Sequence, residues 1–159
     1  MDRLLELLEE NARLTDAQLA AMLDRPEEEI SRQIRQYEKD GVIKGYRAVV
    51  DHQKTEEEEV FAIIELKVTP KRDYGFEEIA KKIAEYPEVE SVYLMSGGYD
   101  LAVFVSGKDL KEIAMFVAKR LSLLDSVIST ATHFLLTRYK DQGLIMGEEK
   151  KDERSVSFL

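Results

Sequence analysis

The chain has 159 residues, 44% of them hydrophobic and 35% charged, a composition typical of a soluble globular protein with one ordinary domain or two small ones. It has no cysteine, which excludes disulfides and thiolate metal sites, and its net charge of −9 argues against a protein that simply coats nucleic acid. No apolar run approaches the ~20 residues that cross a bilayer, and the acidic N-terminus argues against a signal peptide, so we expect a cytoplasmic protein.

The first 40 residues have the pattern of three short helices. Thr15 or Asp16 is suited to cap the second helix, and Pro26 is suited to the first turn of the third. Three glutamates follow Pro26, where negative charge favours a helix N-terminus. Gly41 then stands where a left-handed C-cap is expected. The buried side of the third helix is predicted to carry Ile30, Ile34 and Tyr37.

The pattern changes after Gly41 and divides the chain into segments. Residues 42–50 are rich in strand formers and predict a strand that leaves the helical domain. The polar segment DHQKTEEEE at 51–59 is interpreted as a linker. We therefore expect a first domain with its linking strand at 1–50, a second domain at 60–140 and a polar tail at 141–159. The tail is predicted to be loosely packed or, alternatively, to dock on a neighbouring subunit.

The second domain has an alternating order of strands and helices. Strands are predicted over 60–68, 89–95, 99–105 and 127–139, with helices over 76–84 and 110–121. Gly97-Gly98 is interpreted as a tight hairpin turn that needs positive φ. The order β-α-β-β-α-β predicts an α+β, ferredoxin-like fold, in which two helices cover one face of a four-stranded antiparallel sheet.

The other face of this sheet is predicted to be apolar and uncovered. An apolar face without a helix has to pack on something, and a second copy of the chain is the simplest partner. The sequence therefore predicts a homodimer. The candidate residues for this face are Phe61, Ile63, Glu65, Lys67, Tyr93, Met95, Ala102 and Phe104.

Two motifs carry a resemblance to a known family. The segments DGVIKGYRAVVD at 40–51 and SGGYDLAV at 96–103, in this order, resemble the Lrp/AsnC (feast/famine) family of transcription regulators. The resemblance implies an N-terminal winged helix-turn-helix that binds double-stranded DNA and a ferredoxin-like domain that dimerises and senses an effector. It also implies dimers, often assembled into octamers, that respond to an amino acid or related small metabolite. The family turn usually has an acidic residue where this chain has Gly98.

The third helix supplies the candidate DNA-binding residues. Ser31 and Arg35 are neighbours at i, i+4 and are the best candidates for reading bases. The alternative is a solvated surface on which Arg32 pairs with Glu28, and Arg35 with Glu38 or Glu27. The full candidate set is Ser31, Arg32, Arg35, Gln36 and Lys39, with Lys44 and Arg47 better placed for phosphate.

The glycine turn supplies the candidate effector site. Backbone N–H groups of Gly97 and Gly98 suit a carboxylate, Asp100 can accept from an ammonium group, and Tyr99 offers an apolar side with a hydroxyl. Leu101 belongs to the same turn, and Thr132 in the last strand is a weaker candidate. His52 and His133 are far apart in the sequence, so no metal site, catalytic set or cofactor is expected.

Two other functions fit the same layout. One is a ligand-binding or assembly module that has lost DNA recognition, which the acidic first domain favours. The other is a tetrapyrrole decarboxylase, which shares the two-domain layout but needs basic or histidine side chains to hold substrate carboxylates. Only His133, Arg138 and a few lysines are available for that task, so we expect a regulator and not an enzyme.

Overall fold

A computed structural model describes residues 2–56, 59–70 and 75–147. The chain divides into two compact units, Met1–Val49 and Val50–Leu159. The part of the predicted tail at 148–159 lies outside the described residues.

The first unit contains three helices, α1 (Arg3–Glu10), α2 (Asp16–Leu23) and α3 (Glu27–Lys39). Thr15 and Gln18 form a reciprocal capping box at α2. Gly41 follows α3 with φ of +69°, which confirms the left-handed position. The core is built from one side of each helix: Leu4, Leu7, Leu8, Leu19, Ala20 and Ile30 are buried, with Ile34 and Tyr37 packed against them.

The prediction of a strand over 42–50 is wrong, because the described backbone there forms no strand. The N–H groups of Val42 and Ile43 both donate to the Tyr37 carbonyl, at 2.8 and 3.1 Å. These two residues therefore complete the end of α3 instead of starting a ladder. Strand-forming side chains alone do not make a strand, since the backbone needs a partner strand to pair with.

The second unit is built on one sheet with four antiparallel strands. They are β1 (Val60–Val68), β2 (Val89–Leu94), β3 (Leu101–Gly107) and β4 (Val127–Phe134). Their order in the sheet is β2-β3-β1-β4. The helices are α4 (Glu77–Ala84) and α5 (Leu110–Phe116), and a π-helical turn at Val117–Leu121 continues α5. This arrangement confirms the α+β, ferredoxin-like prediction.

Strict alternation along β1 separates the two faces of the sheet. Ala62, Ile64, Leu66 and Val68 are buried, while the residues between them are partly or fully exposed. The buried set packs with β3 and both helices into one core, which leaves the other face of the sheet without a helix. The helix and β3 residues of this core are Ile79, Ile83, Leu101, Val103, Val105, Ile113, Phe116, Val117 and Leu121.

The glycine turn differs from the predicted tight hairpin. Strand β2 ends at Leu94 and β3 begins at Leu101, so the connection is a loop over 95–100, and neither Gly97 nor Gly98 has positive φ. Because the loop is longer than a two-residue turn, the chain can reverse its direction without positive φ at either glycine. We call residues 95–100 the glycine loop.

The described chain after β4, up to residue 147, also differs from the prediction. Strand β4 ends at Phe134 and not at 139, and β5 (Lys140–Asp141) pairs with β6 (Leu144–Ile145) in a short hairpin. Gln142 and Gly143, with φ of +43° and +88°, form its two-residue turn. Positive φ at both central residues matches the twist of a hairpin, so this turn has the geometry that was predicted for the glycine loop.

Candidate functional site

The exposed side of α3 brings together the best DNA-binding candidates. The guanidinium Nη1 of Arg35 donates to Ser31 Oγ at 2.8 Å, as their i, i+4 spacing predicts. Arg32 and Arg35 are exposed, and with Ser31 they line an open groove on the helix surface. Glu27 and Glu28 line the same groove. The groove therefore combines two guanidinium donors, one hydroxyl and two carboxylates.

The glutamates at the start of α3 do not neutralise these arginines. Glu29 is paired with Arg25 at 2.5 Å, so one of the three carboxylates is balanced by a cation that precedes the helix. Glu38 accepts from the Tyr46 hydroxyl at 3.0 Å. Partial burial of Tyr46, and then this bond, raises the pKa of Tyr46. Across the described residues, none of the ion pairs involves Arg32 or Arg35. Both guanidinium groups are therefore available to an anionic or polar partner.

The remaining candidates of the first unit are not among the residues that line this groove. The Gln36 amide donates to Asp40 at 2.8 Å, so a base edge would have to compete with that carboxylate. Lys39, Lys44 and Arg47 are exposed, which suits contacts to phosphate.

A hydrogen bond between distant residues clamps the start of α1 to α3. The Tyr37 hydroxyl donates to the Asp2 carboxylate, and the same carboxylate accepts from the Leu4 N–H group at the N-cap of α1. The bond from Tyr37, then that from Leu4, lowers the pKa of Asp2, and the same contact raises the pKa of Tyr37. Tyr37 therefore holds two helices together as well as packing on the core.

In the second unit, Asp100 anchors the glycine loop to β1. Its carboxylate Oδ2 accepts from the Val68 N–H group at 2.8 Å, and its own N–H group donates to the Leu66 carbonyl at 2.9 Å. Its carbonyl accepts from Met95 N–H at 2.8 Å and closes the loop. Asp100 therefore has a structural role in holding the loop on β1. One of its two carboxylate oxygens already accepts a hydrogen bond.

The other candidate effector-binding residues differ in how accessible they are to a ligand. A Cβ atom placed on Gly97 or Gly98 would meet nothing within 4 Å, so the loop surface is open at both glycines. Tyr99 is partly buried, whereas Leu101 is fully buried in the core and presents no side-chain surface. Thr132 lies in β4 opposite Ile64, with β1 between it and the glycine loop. One chain alone does not bring Thr132 to the loop.

The uncovered face of the sheet is apolar at its centre and carries a histidine close to a glutamate. Phe104 lies opposite Ile63 in the register, and its ring makes an edge-to-face contact with Tyr93 at 5.7 Å. Beside them, His133 Nε2 is 3.4 Å from Glu65 Oε1. Phe104 is 38% exposed and Tyr93 is 53% exposed, so large apolar groups face outward here. We call this surface the open face.

Two family models together match most of the chain. Residues 3–44 match the winged helix-turn-helix DNA-binding model, and residues 61–145 match the Lrp/AsnC ligand binding domain. The chain belongs to the Lrp/AsnC family. The HTH-type transcriptional regulator YugG of Bacillus subtilis is 46% identical over 154 residues, which cover 96% of this chain and 93% of that protein.

Solved structures of similar proteins agree with the fold of this Lrp/AsnC-family regulator. A transcriptional regulator of Neisseria meningitidis in complex with L-Met aligns with a TM-score of 0.70 and 23% identity, over 89% of this chain and 93% of that one. AsnC of E. coli aligns with a TM-score of 0.68 and 22% identity, over 91% and 97% of the two chains. At these identities the likeness shows the fold alone.

The family assignment settles the class of protein. This chain is a DNA-binding transcription regulator with a ligand-binding domain, and the matched models and the name of the Bacillus relative are those of regulators and not of enzymes. The resemblance seen in GVIKGY and GGYDL is therefore confirmed. In the part of the chain that the structure describes, no cluster of His, Asp and Glu is arranged to hold a metal ion, and no helix is long and apolar enough to cross a membrane.

Sequence reasoning missed two features of the regulator. The anchoring role of Asp100 depends on Val68, which lies 32 positions earlier, and no local signal indicates such a contact. The contact between Glu65 and His133 was predictable only in part, because alternation along β1 assigns Glu65 to the open face but gives no information on His133. The register of β4 was not predictable, so His133 was not assigned to the same face.

Proposed function

We propose that the regulator recognises specific sequences in double-stranded DNA through the exposed side of α3. The observation that carries this proposal is the groove in which Ser31, Arg32 and Arg35 lie together with both guanidinium groups outside any ion pair of the described residues. An arginine there can donate two hydrogen bonds to guanine in the major groove. In this proposal Gln36 reads a base edge, and Lys39, Lys44 and Arg47 hold phosphates.

The acidic residues around the groove affect the affinity of DNA binding and its dependence on salt. Glu27 and Glu28 lie beside the arginines and repel phosphate, and residues 1–50 carry eleven acidic against eight basic side chains. Affinity per subunit is therefore expected to be low and strongly dependent on salt. Several DNA-binding units in one assembly compensate by multivalency.

We propose that the assembly is a homodimer formed through the open face, with four dimers joining as an octamer. The apolar cluster of Ile63, Tyr93 and Phe104 lacks a covering helix, and a second copy offers the same surface in return. In this proposal residues 1–50 bind DNA, 51–59 link, 60–140 assemble and sense, and the tail begins at 141. The regulator acts in the cytoplasm, where its DNA is.

We propose an amino acid or a related small metabolite as the effector. The support is the family's ligand binding domain at 61–145 and the L-Met complex of the Neisseria regulator. In this proposal the N–H groups of Gly97 and Gly98 bind the ligand carboxylate, the free oxygen of Asp100 accepts from its ammonium group, and Tyr99 and Leu101 shape the loop. Within one chain β1 lies between Thr132 and this loop, so Thr132 belongs to the proposed site only where a second copy of the chain supplies it. Gly98 replaces the family's acidic residue, so the ammonium group has fewer partners than usual.

Promoter-fragment binding measured at several salt concentrations tests the DNA proposal. Arg32→Ala and Arg35→Ala are each expected to weaken binding roughly tenfold or more and to reduce the preference over random DNA. Arg120→Ala removes the same charge from the second unit, where Arg120 pairs with Glu88, and serves as the control. An intact chain with no preference over random DNA at any salt concentration would contradict the proposal and favour a module without DNA recognition.

A further inference from the structure

The segment over residues 44–48, which follows the end of α3, lies on the surface of the first unit. The N–H groups of Val42 and Ile43 donate to α3, and the Ile43 side chain packs against the core of the three helices. After that point all five residues of the 44–48 segment are exposed. Two of them, Lys44 and Arg47, are proposed phosphate contacts. The position of this segment therefore affects how the first unit can hold DNA.

One hydrogen bond from a side chain attaches the 44–48 segment to α3. The Tyr46 hydroxyl donates to Glu38 Oε1 at 3.0 Å. Within the described parts of the chain, the backbone of the segment makes no hydrogen bond, and no other hydrogen bond or ion pair joins its side chains to another residue. The attachment of the segment beyond Ile43 therefore depends on Tyr46.

The Tyr46 hydroxyl is suited to be a permanent donor. Tyr46 is 48% exposed, and its partial burial, then the bond to Glu38, raises the pKa of the phenol above its ordinary value of about 10. The phenol therefore keeps its proton at neutral pH. A bond to a charged acceptor is also stronger than one between neutral groups.

The acceptor of this bond lies close to the proposed recognition residues. Glu38 is in the last turn of α3, three residues after Arg35, and residues three apart are neighbours on a helix surface. The bond therefore attaches Tyr46 next to the side of α3 that carries the groove. Lys44 and Arg47 are two residues and one residue away from Tyr46 along the chain. Their Cα atoms consequently lie within about 8 Å of the Tyr46 Cα atom.

Fixing the segment before DNA binds has an energetic consequence. A mobile segment loses conformational entropy when its cations are held on phosphates, and this loss weakens binding. A segment that is already attached to α3 loses less. The bond between Tyr46 and Glu38 therefore favours contacts that Lys44 and Arg47 make with phosphate, although the bond itself carries no information about base sequence.

We propose that Tyr46 is a positioning residue of the DNA interface, which holds Lys44 and Arg47 beside the end of α3 through its bond to Glu38. The proposal rests on the DNA-binding function proposed above, which assigns phosphate contacts to these two cations. In this proposal the hydroxyl acts through the cations and does not itself contact DNA. The last residue of the GVIKGY motif thereby has a physical role in the regulator.

Tyr46→Phe removes the hydroxyl and keeps the ring. Promoter-fragment binding is expected to weaken about 3- to 10-fold, the effect of losing one hydrogen bond. The slope of log affinity against log salt concentration is expected to become shallower by about 1 to 2, because fewer phosphates are held. Tyr139→Phe is the matched control, since Tyr139 is 79% exposed in the second unit, and it is expected to bind as the wild type does. Thermal unfolding verifies that each variant is folded.

A variant without the two cations distinguishes positioning from a general loss of stability. In the Lys44→Ala, Arg47→Ala double variant, the phosphate contacts that Tyr46 is proposed to support are absent. Adding Tyr46→Phe to this variant is therefore expected to weaken DNA binding no further. A loss as large as the one that Tyr46→Phe causes in the wild type would overturn the proposal, because the hydroxyl would then act independently of both cations.

A conservative substitution of the acceptor tests the bond from its other end. Glu38→Gln keeps an oxygen that can accept from Tyr46 and removes a charge that repels phosphate. It is therefore expected to bind the promoter fragment at least as tightly as the wild type. A loss equal to that of Tyr46→Phe in a folded Glu38→Gln variant would contradict an anchor formed by this bond.

The outcomes separate this proposal from the DNA-binding function on which it rests. Wild-type affinity in Tyr46→Phe, together with weakened binding in Arg32→Ala, would overturn the role of Tyr46 and leave the recognition role of α3 standing. An intact chain with no preference for the promoter fragment over random DNA at any salt concentration would overturn both.

Discussion

At the scale of single residues, Gly41 and Gly98 differ in whether their backbone conformation requires a glycine. Gly41 has φ of +69°, and a Cβ atom there would lie 2.7 Å from Lys44 Nζ, whereas Gly98 has ordinary φ and open space around it. Gly41→Ala is expected to lower the free energy of unfolding by about 1–2 kcal/mol, because left-handed backbone is strained for alanine. Gly98→Ala is expected to change it by less than about 0.5 kcal/mol. Thermal or urea unfolding measures both.

A second variant separates the two causes at Gly41. Adding Lys44→Ala to Gly41→Ala removes the close contact but keeps the backbone strain, so most of the loss should persist. Full recovery in the double variant would show that the contact with Lys44, and not φ, was the cause.

Also at the residue scale, the bond between Tyr37 and Asp2 predicts a dependence on pH. The bond lowers the pKa of Asp2, so its contribution to stability is present above the ordinary aspartate pKa, about 3.9, and is lost as the pH falls through the lowered value. Tyr37→Phe is expected to raise the pKa of Asp2 towards the ordinary value and to weaken this acid dependence. NMR titration of the Asp2 carboxyl carbon measures the shift. An unchanged pKa in Tyr37→Phe would contradict the structure.

At the scale of elements, the contact of Asp100 with β1 holds the glycine loop in place. Asp100→Ala is expected to cost about 1–3 kcal/mol of unfolding free energy, because the partly buried Val68 N–H group loses its acceptor. Asp100→Asn keeps an oxygen at the same position and is expected to cost less. Urea unfolding and hydrogen exchange at the Val68 amide check the pair. Equal exchange rates in wild type and Asp100→Ala would show that the bond is not formed in solution.

At the scale of the whole molecule, the open face predicts how copies of the regulator assemble. Phe104→Asp places a charge at the centre of this face, opposite Ile63, and is expected to shift the light-scattering mass towards that of a monomer. Leu110→Asp changes a more exposed leucine at the start of α5 and is expected to leave the mass unchanged. Dimers that persist in Phe104→Asp at micromolar concentration would place the interface on another surface.

The sequence by itself determined the helices, the four strands of the main sheet and the family. Alternation from Val60 to Val68 predicted β1 with its correct ends, and the spacing of Ile30, Ile34 and Tyr37 predicted α3, because side-chain periodicity is a local property of the chain. The motifs GVIKGY and GGYDL indicated the Lrp/AsnC family. The prediction of a strand at 42–50 was wrong, because the strand-forming propensity of the side chains does not supply a partner strand.

Only the tertiary structure decided how distant residues meet. It placed Asp100 on Val68, His133 beside Glu65, and Arg138 over Phe61, three contacts that depend on strand register and on the path of the chain after β4. Register is set by the summed packing of a whole core, and a shift of one residue would turn each side chain to the other face. The fold was therefore predictable from local patterns in the sequence, whereas these three contacts and the anchoring of the glycine loop were not.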